Sequence, residues 1–161
     1  MNSPYMGNFQ VTQTQHSAHD GLDLVGLESK EIHSTVNGKV IYAGWENEKD
    51  HSQGFGQYVC VYANDGNDYF FGHLDKINVS YGQTVKITDV LGIEGTTGKS
   101  TGNHCHYCAR PHGQYSPARN ISQISGIPNA LGIYNDGFKP STNQVIARFT
   151  INGVNYKIVK E

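Results

Sequence analysis

The chain has 161 residues, which is enough for one ordinary domain with its own core. Its net charge is -2, and no cluster of Lys or Arg stands out. Binding to nucleic acid through general electrostatic attraction is therefore not expected. No stretch approaches the roughly 18 consecutive apolar residues that a membrane span requires.

The N-terminal residues carry neither the basic region nor the apolar run of a secretory signal peptide. We therefore expect one of two origins for the chain. It is released through a membrane pore made by another protein, or it is a domain excised from a larger one.

The first candidate site in chain order is the segment His19-Asp20-Gly21-Leu22-Asp23. An imidazole and a carboxylate four residues apart around a glycine can both turn toward one metal ion. Zinc accepts both His nitrogen and Asp oxygen as ligands. His16 and Asp20 have the same spacing, so spacing alone leaves two registers open.

Short β-rich runs separated by turn residues dominate the rest of the chain. The 19 Gly and the 37% of hydrophobic residues are typical of a turn-rich β protein and not of a helical bundle. Strands at this spacing predict a small domain that is mainly β and built on an antiparallel sheet. The predicted strands cover residues 39–43, 57–62, 68–72, 84–87, 90–94 and 104–110.

The C-terminal third is less regular. Residues 117–125 are compatible with a short helix, and residues 126–144 have the composition of a loop or linker. Residues 145–161 predict a β-hairpin about Asn152-Gly153. We therefore expect a domain over residues 1–125, a loop or linker over 126–144, and a hairpin that packs on the domain or begins another module.

The eight His residues include a pair at His104 and His106. If this segment is a strand, His104, His106 and Cys108 share one face, and Cys105 lies on the other. Two imidazoles so placed are within reach of one small site. His73 follows an aromatic run, where a single His is more often structural.

In their order along the chain, these motifs resemble the lysostaphin-type (LytM-like) zinc peptidases of bacterial cell walls. The most specific part is a loop rich in Gly, Ser and Thr that leads directly into His-x-His. Two positions depart from the family pattern, with Asn103 where many relatives have Pro and Cys105 where they have an aliphatic residue. The segments that carry the resemblance are residues 19–24, 37–45, 54–59, 72–74, 81–85 and 92–106.

The resemblance favours His19 and Asp23 over the alternative register. It implies that His19, Asp23 and His106 bind one zinc ion, and that His73 and His104 act as catalytic residues beside it. It also implies a small antiparallel β domain with a substrate groove across its sheet, walled by residues 46–55 and 95–103.

Other residues of these types are expected to lie outside the site. His16 is predicted to be a neighbour of the metal ligands, and His33, His51 and His112 to be surface or structural residues. The pair Cys105 and Cys108 is not expected to hold a structural zinc ion, because its second half is missing and strand alternation separates the two thiols.

The function implied by the resemblance is a zinc endopeptidase that cuts stem or cross-bridge peptides of peptidoglycan at the bacterial cell wall. We expect it to act as a monomer and to be a phage or prophage lysin. The alternative is a catalytically inactive family member that binds the wall or activates another hydrolase. The presence of all five site residues favours the enzyme.

Overall fold

The computed structural model describes residues 1–136 and the backbone of residues 144–151 and 154–160. Antiparallel strands make up most of the regular structure in these residues, with one short helix, α1 (Ile121–Ser125). The strands are β1 (Asn8–Gln13), β2 (Leu22–Gly26), β3 (Glu31–His33), β4 (Gly38–Trp45), β5 (Gln57–Ala63), β6 (Asn67–Gly72), β7 (Leu74–Ile77), β8 (Thr84–Val85), β9 (Val90–Glu94), β10 (Cys105–Pro111), β11 (Gly132–Asn135), β12 (Gln144–Ile151) and β13 (Val154–Lys160).

The strands form two sheets and a separate hairpin. Eight of them make one antiparallel sheet in the order β11-β1-β2-β10-β6-β5-β4-β8, and a three-stranded sheet has the order β3-β9-β7. β12 and β13 pair with each other. The predicted fold class, a mainly β domain with antiparallel sheets, is confirmed.

The core lies on one face of the large sheet. In β5, Val59 and Val61 point into the core, while Tyr62 points to the other face and is exposed, as strand alternation requires. The central strand β10 is buried on both faces. Its residue Tyr107 packs in the core, whereas His106 lies on the opposite face and lines a cleft.

The structure contains strands β1, β2, β3 and β7 in addition to the predicted ones. β3 and β7 are too short for a sequence pattern, and in β2 the alternation Leu22-Asp23-Leu24 covers only three residues before Val25 and Gly26. Tertiary pairing therefore decides their conformation. No helix among the described residues has the length and apolar character to cross a membrane.

The structure also corrects part of the predicted loop or linker over residues 126–144. Within it, β11 pairs with β1 and extends the edge of the large sheet. An edge strand needs only one pairing partner, and Ile133 remains exposed, so its sequence gives little core signal. Residues 137–143, and residues 152–153 and 161 of the predicted hairpin region, lie outside the described residues. The domain boundaries stay a prediction.

Candidate metal centre and cleft

The register of the large sheet brings the predicted site residues together. β10 lies between β2 and β6, so that Asp23 is directly opposite His106 on one side and Gly72 is opposite it on the other. Opposite residues in an antiparallel pair have their Cβ atoms about 5 Å apart. Asp23 and the residue that follows Gly72, His73, are therefore placed beside His106 by backbone pairing.

Three side chains converge on one point at the foot of the cleft. Asp23 Oδ1 lies 3.1 Å from His19 Nε2 and 2.9 Å from His106 Nδ1. The ligand atoms of the three residues all lie within 4.8 Å of one another, which is close enough to hold a metal ion. The structure thus groups the three residues that the sequence predicts as metal ligands.

The position of His19 is set by a tight turn. His16 and His19 exchange two backbone hydrogen bonds, and His19 Nδ1 lies 2.9 Å from the Thr14 carbonyl. A carbonyl oxygen can only accept, so Nδ1 carries the proton and Nε2 presents its lone pair to the site. His16 is exposed, with Nδ1 accepting from the amide of Ala18. The turn therefore directs His19, and not His16, at Asp23.

His73 and His104 form a pair beside this cluster, with ring centroids 4.7 Å apart. Each is anchored through Nδ1 to a backbone carbonyl, His73 to Thr97 at 2.7 Å and His104 to Gly102 at 2.8 Å. By the same argument, Nε2 of each ring is the atom left for the cleft. His104 Nε2 is 3.5 Å from Asp23 Oδ2.

The backbone of His73 has a conformation that is uncommon for a side-chain-bearing residue. Its φ is +63°, in the left-handed region, at the point where the chain leaves β6 for β7. The bend carries the chain from the large sheet to the three-stranded one. The His73 amide donates to the Phe55 carbonyl at 2.7 Å, which fixes the ring at the cleft.

Burial and hydrogen bonding shift the pKa values of the site in opposite directions. Burial lowers the pKa of His73 to about 4, against the bond to Thr97, so its ring is neutral at pH 7. Burial would lower the pKa of His106, but its bonds to Asp20 and Asp23 outweigh this and raise it well above the usual value. For Asp23, burial opposes ionisation, yet the bonds from His106 and His19 hold its pKa below the usual range. A bound cation would replace the protons on these rings, because ligating His is neutral.

Sequence reasoning missed the role of Asp20 and did not single out Arg110. Asp20 Oδ1 lies 3.1 Å from His106 Nε2, and Oδ2 accepts from Arg110 Nη2 at 2.7 Å. Strand alternation could have pointed to Arg110, because it lies four residues after His106 in the same strand and so shares its face. Asp20, His106 and Cys108 form a second group whose ligand atoms lie within 4.8 Å of one another.

The cluster opens into a cleft of about 930 Å³. Both predicted walls line it, and residues 115–118 supply a third that the sequence did not indicate. The lining residues are Gln13, Ala18, His19, Asp20, Asp23, Glu46, Ser52, Gly54, Phe55, His73, Gly98, Lys99, Ser100, Thr101, His104, His106, Arg110, Tyr115, Ser116 and Ala118.

The remaining histidines lie away from the cluster. His33 is buried and bonds the Thr88 carbonyl through Nδ1 at 2.9 Å. The exposed ring of His51 stacks on Trp45 with centroids 3.6 Å apart. His112 Nδ1 lies 2.7 Å from Asp68 Oδ1 at the far end of β10.

Comparison with known proteins identifies relatives of this site and fold. A sequence profile for Peptidase family M23 matches residues 17–117. The chain is 33% identical over 90 residues to the glycyl-glycine endopeptidase ALE-1 of Staphylococcus capitis and 34% identical over 89 residues to the peptidoglycan DD-endopeptidase ShyB of Vibrio cholerae. Each match covers 55% of this chain, but 24% of ALE-1 and 20% of ShyB, so the chain spans about a quarter or less of these relatives.

Solved structures share the fold. The catalytic domain of the antimicrobial peptidase lysostaphin from Staphylococcus simulans superposes with a TM-score of 0.60 at 26% identity, over 76% of this chain and 92% of that one. The catalytic domain of the prophage-encoded M23 protein EnpA from Enterococcus faecalis gives 0.62 at 24% identity, over 74% and 94%. A zinc-containing peptidase from Vibrio cholerae gives 0.53 at 29% identity, over 63% and 33%.

Proposed function

This chain belongs to peptidase family M23, and we propose that it is a zinc-dependent endopeptidase that hydrolyses peptide bonds in the stem or cross-bridge peptides of peptidoglycan. The observation that carries the proposal is the convergence of His19, Asp23 and His106 at the foot of a cleft that also holds His73 and His104. The substrate class is supported by relatives named as a glycyl-glycine endopeptidase and a peptidoglycan DD-endopeptidase.

The proposed metal ligands fit zinc in number and chemistry. Two imidazole nitrogens and one carboxylate oxygen are a donor set that catalytic zinc sites use, with a further position left open. Each imidazole also bonds an acceptor through its other nitrogen, His19 at the Thr14 carbonyl and His106 at Asp20. That arrangement fixes the tautomer a metal ligand needs. We propose one zinc ion per chain, acting in a monomer.

Zinc held at this position would supply a Lewis acid that polarises the scissile carbonyl and activates a water molecule. Amide hydrolysis also needs a base for the water proton and a donor for the developing oxyanion. We assign the first task to His73, whose buried ring is neutral with the Nε2 lone pair available. We assign the second to His104, whose Nε2 faces the cleft 3.5 Å from Asp23 Oδ2.

The cleft suits an extended peptide. It is open and runs between the loop of residues 46–55 and the loop of residues 95–103. The ring of Phe55 packs against His106 with centroids 5.3 Å apart, which closes one side of the proposed metal centre. A peptide lying in the cleft would therefore pass directly over the five site residues.

The first experiment is digestion of purified peptidoglycans that differ in cross-bridge chemistry, with new peptide termini identified by mass spectrometry. We expect new termini with the zinc-loaded protein. The His106→Ala variant should lose more than about 100-fold of this activity, because it lacks a proposed zinc ligand. His112→Ala is the matched control, since it also removes a His bonded to a carboxylate but lies away from the cleft.

A folded protein with one zinc ion that releases no termini from any wall would contradict the enzyme. It would favour the alternative, a family member that binds the wall or activates another hydrolase. Equal loss of activity in His112→Ala and His106→Ala would show that the effect is structural and not due to the metal centre.

We further propose that the protein acts at the bacterial cell wall as a phage or prophage lysin. The support for a lytic role is its 26% identity to the catalytic domain of lysostaphin, which is named as an antimicrobial peptidase. Protein added from outside should clear a suspension of living bacteria whose isolated wall it cuts. Cutting of isolated wall without lysis of any living cell would count against a lytic role.

A further inference from the structure

His106 is anchored differently from the other three histidines of the site. His19, His73 and His104 each donate through Nδ1 to a backbone carbonyl, so no side-chain substitution removes their anchor. In His106 the ring is turned the other way, with Nδ1 at Asp23 and Nε2 at the side chain of Asp20. The orientation of one proposed ligand therefore depends on a carboxylate 86 residues away in sequence.

Asp20 is itself held in place. Its second oxygen accepts from Arg110 Nη2 at 2.7 Å, and the Arg110 side chain is only 9% exposed. The guanidinium packs over the ring of Phe70 at 4.8 Å and that of Tyr115 at 4.6 Å. Because these rings restrict the guanidinium, the carboxylate has a fixed partner on the side away from His106.

The loop that carries Asp20 lies closely against β10. A Cβ on the next residue, Gly21, would come within 2.6 Å of the Tyr107 carbonyl oxygen and 2.8 Å of His106 Nε2. Only glycine allows this approach. The carboxylate thereby spans His106 and Arg110, which lie four residues apart on one face of the strand.

We propose that Asp20 is a positioning residue for the metal centre. Held by Arg110, it accepts the Nε2 proton of His106 and leaves the Nδ1 lone pair directed at the ion. The inference rests on the metal site proposed above, and it names a determinant of zinc affinity that does not itself touch zinc. Removing such a partner from a ligating His typically weakens metal binding by about 10- to 100-fold.

A second metal ion held by Asp20, His106 and Cys108 is the competing interpretation of this carboxylate. The Arg110 guanidinium argues against it, because a permanent cation already occupies the other oxygen of Asp20 at 2.7 Å. A further cation on the same carboxylate would be repelled by that charge. If Asp20 only positions His106, no second cation has to share its carboxylate with Arg110.

The test is the zinc affinity of the full chain, measured by competition with a chromophoric chelator. We expect Asp20→Ala to bind one zinc ion about 10- to 100-fold more weakly than the unmodified protein. Asp20→Asn should fall between them, because one of the two oxygens that accept from His106 and Arg110 becomes an NH2 donor. Asp68→Asn is the matched control and should leave the affinity unchanged, since Asp68 bonds His112 outside the cleft.

A second readout follows the hydrogen bond itself. In the zinc-loaded protein with ¹⁵N-labelled histidine, the Nε2 proton of His106 should exchange slowly with water, and it should exchange rapidly in Asp20→Ala. A merely structural role would change thermal unfolding without changing this resonance. If Asp20→Ala does not fold, the same two measurements on Asp20→Asn decide the matter.

Unchanged zinc affinity in a folded Asp20→Ala variant would overturn the proposal. So would a zinc content that falls from two ions to one, since Asp20 would then be a ligand of a second site. A protein that binds zinc but cuts no peptidoglycan would refute the proposed function alone, and the affinities would still decide the role of Asp20. Absence of zinc binding by the unmodified protein would overturn both.

Discussion

At the scale of single residues, His73 combines two unfavourable features. Its backbone has a φ of +63°, and its ring is buried with a pKa lowered to about 4. Strain and desolvation of this kind persist where the surrounding structure determines them, and they concentrate at functional sites. The left-handed backbone lies where the chain turns from β6 into β7, and burial keeps the ring neutral beside the cleft.

The burial of His73 predicts a specific pH dependence of stability in the metal-free protein. The ring binds a proton near pH 6.5 when unfolded but only near pH 4 when folded, so the unfolded state binds more protons between these values. Its contribution is therefore present above pH 6.5 and is lost as the pH falls to 4, by about 3 kcal/mol.

The comparison variant is His73→Asn, because Asn tolerates the left-handed backbone and does not titrate. We expect the unmodified protein to lose about 3 kcal/mol relative to His73→Asn between pH 7.5 and pH 4, measured by urea unfolding. The same pH dependence in both proteins would mean that the ring is not desolvated.

At the scale of elements, the two walls of the cleft support each other. The Gly98 amide donates to the His51 carbonyl and the Lys99 amide to that of Gly54. A Cβ on Gly98, whose φ is +74°, would lie 2.2 Å from the amide nitrogen of Gly56. The neighbouring Thr97 carbonyl anchors His73, so the packing of these loops reaches the proposed base.

Gly98→Ala is therefore expected to reduce both stability and activity. Strain at positive φ together with the clash against backbone should destabilise the fold by about 1–3 kcal/mol. The matched control is Gly82→Ala, since Gly82 has a φ of +85° but nothing within 4 Å of a Cβ. The control should lose only the stability that backbone strain costs, and it should keep full activity. Equal loss of activity in both variants would contradict the proposal that Gly98 holds the two walls of the cleft together.

At the scale of the whole molecule, one buried carboxylate joins the two sheets. Glu94, at the end of β9 in the small sheet, has a fully buried side chain. It accepts from the Gly26 amide of β2 at 2.9 Å, from Lys30 Nζ at 2.8 Å and from the Tyr5 hydroxyl. The N-terminal segment, the large sheet and the small sheet therefore meet at this group.

Loss of this carboxylate should destabilise the whole domain. We expect Glu94→Ala to lower the free energy of unfolding by about 1–3 kcal/mol, because the buried Gly26 amide loses its acceptor and Lys30 loses its carboxylate partner. Asp89→Ala, on the same small-sheet segment, removes a carboxylate that accepts only from the exposed Lys86 amide and should change stability far less. Urea unfolding of the three proteins checks this, and equal stability of Glu94→Ala and the unmodified protein would contradict the role given to Glu94.

The sequence by itself determined the family and the fold class. Alternating apolar residues, as in β5, follow from the two-residue period of a strand, which is a local property. The resemblance of the motifs to lysostaphin-type peptidases, in their order along the chain, likewise implied that His19, Asp23, His73, His104 and His106 form one set, although spacing alone left the register open. Their binding and catalytic roles stay predictions, although the structure groups the five side chains at one cleft.

Only the tertiary structure decided which distant residues pair. It set Asp23 opposite His106, brought Asp20 and Arg110 to the same ring, and used β11 to extend the sheet edge. Asp20 and Arg110 are separated by 90 residues, and no local pattern links them. Register depends on side chains packed across the whole sheet, so the sequence of a single segment does not contain it.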